Sequence, residues 1–561
     1  MYLDHTVDNP LEADSVDKSP EGWKIRLITL LPGTANESLR CHLRSSYFRD
    51  CRTSYEALSY VWGDPKLPEA VLINGREFLV TRNLASALRR LRLPDRAREL
   101  WIDAICINQE DSAEKTVQVR RMGAIFENAS RVIVDIGEES DSCSAAIDLL
   151  KRIGNLTESN QIHASIDNLL QNTSLFSSWQ ALELFFQRPW WGRSWIVQEY
   201  VLAPKVLFIC GTAEIEESSF SYALTNLIDY RFNAHIPKQH ESLIRHVAST
   251  NIHHLWSTRD RLRKPNSPAE APVLEVLYKF RRSQCMDSRD KVFSIFSLIK
   301  KHKLLVPDYS RSETDIFTSV VQASINTTND LEVLTHHNNG CASKLKLPSW
   351  CPDWTILRGR RIRLWPNDYS ASGAFNKAIV NFTDDKMVLR GVYLAQIQNI
   401  EPFESRDFHS NSRMLRKLKA FEAVALNSSP TDCPLDHRYG SIRASLVAGR
   451  VRPGGPQQGA AIVDYTRART LWNAWFDYFH AEEKVEENKQ DAKLYNDALY
   501  SALCGRSAFV SSAGHIGVVD NGAAPGDEIF VLCGGRVLFA IRPVDGSAGD
   551  GSVNYRLVGE W

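Results

Sequence analysis

The first two hundred residues alternate between short apolar runs and helical patterning. Trp23 to Leu31 alternates apolar and polar positions, which predicts a strand ended by Pro32-Gly33. Tyr55 to Trp62 predicts a second strand, stopped by Gly63-Asp64-Pro65. Val71 to Val80 predicts a hairpin turning on Asn74-Gly75. Asn83 stands where a helix cap is expected, ahead of Leu84, Leu88 and Leu91 at helical spacing. Leu100 to Ile107 is almost continuously apolar, as a strand buried on both faces should be. Asp111 or Ser112 can open the helix carrying Val119, Met122 and Phe126, and Arg131 to Ile136 predicts another core strand. Residues 140–190 read as mostly helical, Ser194 to Leu202 as a short helix, and Lys205 to Cys210 as a strand. Strands alternating with helices predict an α/β unit with a parallel, doubly wound sheet.

The pattern then changes twice. Residues 216–344 carry helical periodicity, and from 345 onward the chain breaks into short strands and turns. The expected division is a disordered tail over 1–22, an α/β module over 23–215, a helical region over 216–344 and a β-rich region over 345–561.

Composition narrows the function classes. Of 561 residues 43% are apolar, enough to bury sizeable cores. The 67 basic residues equal the 67 acidic ones, so the chain has no overall basic footprint and no nucleic-acid partner is expected. The 11 cysteines are scattered without a CxxC pair, which argues for free thiols in a reducing compartment. The acidic amino terminus lacks the apolar core of a signal peptide, and no apolar run approaches the ~18 residues of a membrane helix. A cytoplasmic protein without a membrane partner is therefore expected. No phosphate-binding loop, zinc-protease helix or dinucleotide-binding glycine motif is present, and His253-His254 and His336-His337 lack the spacing that places two metal ligands on one helix face.

Three segments stand out: Tyr55-Glu-Ala-Leu-Ser-Tyr-Val-Trp-Gly63, Leu100-Trp-Ile-Asp-Ala-Ile-Cys-Ile-Asn-Gln109 and Arg188-Pro-Trp-Trp-Gly-Arg-Ser-Trp-Ile-Val-Gln-Glu199. In this order they resemble the hallmark segments of fungal heterokaryon incompatibility (HET) domains. Asp287-Ser-Arg-Asp-Lys-Val-Phe293, Pro307-Asp-Tyr309, Pro348-Ser-Trp-Cys-Pro-Asp-Trp354 and Gly526 to Arg536 resemble segments that long HET proteins carry downstream of the domain. The module is also similar to TIR (flavodoxin-like) domains. Its first strand ends in an aromatic–Gly–Asp turn, its second carries Ile102-Asp103, and a helix leads to the strand Val132-Ile-Val134. Trp195 precedes Glu199 by four residues, like the Trp before the catalytic Glu of TIR domains.

The resemblance implies a role in nonself recognition or regulated cell death. It also implies either cleavage of NAD at the nicotinamide–ribose bond or a non-catalytic module that self-associates or binds a protein trigger. NAD would be the substrate, with no resident cofactor and no metal. Glu199 would be the catalytic carboxylate, and Tyr60, Trp62, Gly63, Asp64, Asp103, Asn108 and Trp195 would bind substrate. Independently of the family, the turn after Tyr60, Asn108-Gln109 and Gly137-Glu138 fall at strand carboxyl ends, where open α/β sheets bind ligands. Trp195 and Glu199 share a helix face. Each residue has a structural alternative. Glu199 can pair with Arg193 or Arg188, Trp62 can belong to the core, Asp103 can bond a loop, and Arg289 and Asp290 can pair with their neighbours.

Overall fold

Nine strands between Lys24 and Glu216 hydrogen-bond into one sheet in the computed structural model. The structure describes residues 22–34, 37–140, 142–156, 161–230, 236–249, 251–264, 272–299, 305–336, 343–356, 369–383, 386–428, 434–451, 461–480, 486–544 and 553–560. All but the last residue of the expected tail over 1–22 lies outside them. The strands are β1 (Lys24–Leu30), β2 (Arg40–Tyr47), β3 (Glu56–Tyr60), β4 (Pro68–Ile73), β5 (Arg76–Thr81), β6 (Arg98–Trp101), β7 (Arg131–Asp135), β8 (Val206–Cys210) and β9 (Ala213–Glu216). Their spatial order is β5-β4-β2-β1-β6-β3-β7-β8-β9.

The sheet is mixed, which corrects the all-parallel expectation. β6, β3, β7 and β8 are parallel neighbours, because helical crossovers join them. β1 runs antiparallel to both β2 and β6, and the tight β4–β5 and β8–β9 connections force antiparallel pairs. Asn74 and Gly75 both adopt positive φ (51° and 78°), the geometry of the predicted hairpin turn. In chain order the parallel strands lie second, first, third, fourth, which is the flavodoxin-like order. Its switch point is between β3 and β7, beyond Tyr60 and Asp135.

The helices of this unit are α1 (Phe48–Cys51), α2 (Arg82–Leu91), α3 (Asp103–Cys106), α4 (Ser112–Glu127), α5 (Cys143–Gly154), α6 (Ile162–Gln171), α7 (Phe176–Gln187), α8 (Ile196–Val201), α9 (Glu217–Tyr230), α10 (Lys238–Ser249), α11 (Asn251–Arg263), α12 (Val273–Lys279) and α13 (Asp290–Phe293). Two local expectations are corrected. Leu100 to Ile107 is not one strand. β6 stops at Trp101, and Ile102, Ile105, Cys106 and Ile107 stay buried around the short α3. A carboxylate inside a strand covered on both faces would have no partner. The turn instead lets Asp103 accept from its neighbour Ala104 N (2.8 Å) and from a loop. Thr81, not Asn83, caps α2, accepting from Leu84 N at 3.4 Å. Asp111 caps α4 as expected, accepting from Ala113 N and Glu114 N.

α4 is tied to the sheet by a buried ion pair. Arg26 of β1 reaches both oxygens of Glu114 (2.6 and 2.9 Å) and also Cys106 O, while Glu114 accepts from Asn108 N (2.8 Å). Tyr55 Oη donates to Ile125 O at 2.6 Å, fixing the same helix at its other end.

The chain divides into two units, Met1–Ile316 and Phe317–Trp561, and the boundary falls within α14 (Glu313–Thr328). The second unit is β-rich and holds β10 (Val380–Thr383), β11 (Lys386–Leu389), β12 (Gly391–Phe403), β13 (Arg450–Val451), β14 (Ala461–Ile462), β15 (Arg506–Ser511), β16 (Ile516–Asp520), β17 (Glu528–Leu532), β18 (Phe539–Val544) and β19 (Asn554–Glu560). Six of these form an antiparallel sheet in the order β16-β15-β12-β17-β18-β19. The long β12 pairs with β17 along its first half and β15 along its second. Between β12 and β15 the chain forms α15 (Asn411–Ser428), α16 (Leu435–Leu446), α17 (Tyr465–Phe479) and α18 (Lys489–Leu503). Leu418, Phe421, Trp472, Trp475 and Leu499 of these helices share a core with Ala508, Val510 and Val518 of the sheet. Among the described residues no helix is long and apolar enough to cross a membrane.

The Arg26–Glu114 pair gives a direct test of this packing. Glu114→Gln leaves a buried guanidinium uncompensated and should destabilise the amino-terminal unit by about 3–5 kcal/mol in denaturant unfolding. Replacing both partners with apolar residues of similar volume should cost much less. A Glu114→Gln loss under about 1 kcal/mol would show that the pair is solvated rather than buried.

Candidate functional site

β3 opens on Glu56, which pairs with Arg98 and Arg131, and Ser59 near its other end begins the polar site. Ser59 Oγ accepts from Trp190 Nε1 (2.9 Å) and donates to Glu199 Oε2. With its lone pair engaged by the indole, the hydroxyl proton is free to face the carboxylate. Trp190 belongs to a 3-10 turn, Pro189–Gly192, whose two tryptophans are buried. Trp191 stacks on Phe220, with ring centroids 5.7 Å apart, and its Nε1 donates to Phe185 O (2.9 Å). The motif's aromatic pair is therefore core, and it anchors the loop that leads into α8.

Glu199, on α8, is 2% exposed. Its other partner is Arg193, whose Nη1 lies 3.5 Å from Oε2. Burial raises the Glu199 carboxyl above its ordinary range, the Arg193 guanidinium pulls it back, and the charge of Asp103 pushes it up again. Arg188, the other sequence candidate for pairing, instead donates to Glu138 O, Ser140 O and Ser140 Oγ.

Tyr60 lies next to Ser59 at the carboxyl end of β3 and is buried. Among the described residues its hydroxyl has no hydrogen-bond partner, and it sits within the fields of Asp103, Arg193 and Glu199. Burial is the first cause that raises its pKa, and the two acids add to it. Ser194 Oγ and both amide atoms of Gln198 are likewise buried without a partner among the described residues. Groups of this kind are rare in native proteins, where buried polar atoms are nearly always bonded, so these are the atoms with hydrogen-bonding capacity to spare.

The turn after β3 forms the rim. Trp62 is 38% exposed, so it is not a core residue, and its Nε1 donates to Asp103 Oδ2 at 2.9 Å. Burial raises the Asp103 carboxyl, and Arg193 and the Trp62 indole lower it. Gly63 has φ +81°, and a Cβ there would sit 2.6 Å from Asn83 Cγ. Asn83 holds this turn by donating to Val61 O (3.1 Å). Asp64 is exposed and accepts from Lys66 N (2.9 Å).

Of the residues expected at the site, Tyr60, Trp62, Asp103 and Glu199 share one electrostatic network. Gly63 and Asp64 shape its rim. Asn108 makes no hydrogen bond to that network, and its Oδ1 instead accepts from Glu110 N (3.2 Å). Trp195 Nε1 donates to Asp290 Oδ2 (3.1 Å) rather than toward Glu199. Arg289 pairs with Asp287, which matches the structural alternative. Ser59, Trp190 and Gln198 escaped sequence reasoning. A serine between the apolar Leu58 and Tyr60 of a buried strand was the available signal.

The sequence model of the family described as heterokaryon incompatibility protein (HET) matches residues 55–199, from the residue just before β3 to the buried carboxylate of α8. The chain carries a HET domain. It is also similar to heterokaryon incompatibility protein 6, OR allele, of Neurospora crassa. The identity is 24% over an alignment of 656 residues that covers 99% of this chain and 95% of that protein. No solved structure matches. All of the network around Glu199 described above lies inside the HET domain, with Ser59 near one end and Glu199 at the other.

Neighbouring residues of the rim should respond oppositely to substitution. Trp62→Ala removes a half-exposed ring and one partly exposed hydrogen bond, and should cost about 1 kcal/mol or less in melting experiments. A core tryptophan would cost about 3–5 kcal/mol. Gly63→Ala forces a side chain into positive φ against Asn83 and should cost about 1–3 kcal/mol. Equal costs at the two positions would contradict this assignment.

Proposed function

We propose that this chain acts in heterokaryon incompatibility, as a nonself-recognition effector of regulated cell death, and that its HET domain acts by hydrolysing NAD at the nicotinamide–ribose bond. The observation that carries the chemistry is Glu199: a buried carboxylate at the switch point of a flavodoxin-like strand order, beside a tyrosine hydroxyl with no hydrogen-bond partner among the described residues. The role in incompatibility is supported by the HET domain and by the name of the Neurospora crassa relative. The flavodoxin-like order of the parallel strands supports kinship with TIR domains.

In this function Glu199 is the catalytic carboxylate. The bond between ribose C1′ and the nicotinamide nitrogen breaks, and its electron pair leaves with nicotinamide, which becomes neutral. Positive charge passes to the ribose as an oxocarbenium-like centre. A carboxylate excluded from water stabilises that charge more than one in solvent. Water then adds to C1′ and releases a proton, giving ADP-ribose. Because nicotinamide leaves without protonation, one carboxyl suffices. Burial opposes ionisation of Glu199 in the free protein, and the cationic nicotinamide ring supplies the charge that restores it. Tyr60 Oη offers a hydrogen bond to the ribose, and Trp62, Gly63 and Asp64 form the rim, with the exposed face of Trp62 available for stacking. Asp103 orients Trp62. Trp195 and Asn108 support the binding region from outside the network.

Glu199→Gln keeps size and removes charge. Nicotinamide release should fall by about a hundredfold or more. Binding of uncleaved NAD should fall far less than turnover, because the ground state loses only the attraction to the nicotinamide cation while the ribosyl cation exists only near the transition state. If Glu199 served only to neutralise Arg193, the same change would leave turnover intact and destabilise the unit by about 3–5 kcal/mol. A folded wild type that releases no nicotinamide would return the domain to signalling by self-association or partner binding.

A further inference from the structure

The loop that delivers Arg193 and Glu199 is held from outside the HET domain. Gln284 lies in a parallel bridge with Arg193. Its backbone N donates to Gly192 O (2.5 Å), and its backbone O accepts from Ser194 N (2.9 Å). Six residues on, Asp290 Oδ2 accepts from the indole of Trp195 (3.1 Å), and Oδ1 accepts from Tyr309 Oη (2.7 Å). Residues 192–195 are thus gripped at two points by one stretch of chain.

That stretch is itself fixed. Lys291 Nζ donates to Arg281 O (2.9 Å) and to Ser283 O, closing the loop on itself. Asn251 of α11 bonds Ser283 Oγ (3.0 Å) and Trp191 O (3.3 Å). Arg289 is bound to Asp287, to Tyr309 O (2.7 Å) and to Arg311 O (2.9 Å). The Tyr309 ring lies under Lys115 and Arg289, with the cations 4.7 and 5.2 Å from its centroid. Burial pushes the Asp290 carboxyl up to about 6, so at neutral pH it is ionised and accepts from both donors.

We propose that Gln284–Asp290 is a strap that sets the position of Arg193 and Glu199, with Asp290 as its positioning residue acting through the indole of Trp195. The strap stands on these contacts alone; only its catalytic consequence rests on the proposed NAD hydrolysis. Trp195 immediately precedes α8, one turn from Glu199, so a shift of its ring moves the helix start that carries the carboxylate. Asp290 touches neither Glu199 nor the substrate region and is not a catalytic residue.

The test uses the full chain and two separate readouts. Asp290→Ala removes the acceptor, and Trp195→Phe removes the donor while keeping a ring. Both should speed amide hydrogen exchange across Arg193–Val201 while β3 and β7 stay protected and the melting temperature holds. Asp290→Asn keeps an oxygen for the indole and should stay close to wild type. With NAD as substrate, the first two variants should lose about tenfold or more in kcat with little change in KM, because misplacing the carboxylate weakens what is felt only at the transition state. Unchanged exchange over Arg193–Val201 in Asp290→Ala would overturn the strap, as would loss of protection throughout the sheet, which would make Asp290 a general stability residue. Faster local exchange in a chain whose wild type releases no nicotinamide would support the strap and count against the chemistry.

Discussion

A carboxylate taken out of water is the constraint on which the amino-terminal unit turns. Burying an ionised group costs several kcal/mol unless neighbours replace the lost solvation. Among the described residues Glu199 is compensated by one cation, Arg193, at 3.5 Å, and one hydroxyl donor, Ser59. That explains features which would otherwise conflict with a close-packed core. A serine interrupts an apolar central strand because the carboxylate needs a short donor there. Trp190 is a tryptophan rather than a phenylalanine because its N–H occupies the serine oxygen and leaves the serine proton to face Glu199. The aromatic cluster of Trp191, Phe208 and Phe220 then fixes the loop that makes this geometry reproducible.

Much of the strand content was legible from the pattern, since β1 alternates apolar and polar positions and β3, β7 and β8 are short, largely apolar segments. The Asn74-Gly75 hairpin was legible because two consecutive positive φ angles demand that pair. What failed did so for identifiable reasons. Leu100 to Ile107 looks like a strand because burial, not conformation, sets its apolarity, and a short helix packed against β1 is equally buried. Strand direction cannot be read from one strand's composition, and so the antiparallel β1 was missed. The four helices between β12 and β15 were hidden among turn-rich segments, although Trp472 and Trp475 sit at helical spacing on the buried face of α17.

The site was legible in part. Glu199 and the turn from Tyr60 to Asp64 were recoverable because the HET resemblance and the rule for strand carboxyl ends point to the same place. The directions of side chains were not. Trp195 and Glu199 are four residues apart, yet the indole N–H bonds Asp290 while the carboxylate faces Ser59, a divergence that helical spacing alone does not reveal. Asn108 was drawn in by its place after a strand-like run, and the corner it occupies is a turn that closes on Glu114.

Charge in the network is left out of balance. Two acids, Asp103 and Glu199, share one guanidinium, and burial raises both above their ordinary range. A second fixed cation would relieve that tension. The network as it stands tolerates little displacement, because moving Arg193 away from Glu199 would neutralise the carboxylate rather than expose it. Arg193 and Trp195 are held from a segment that lies beyond residues 55–199, so the placing of the Arg193–Glu199 pair depends on the chain downstream of those residues.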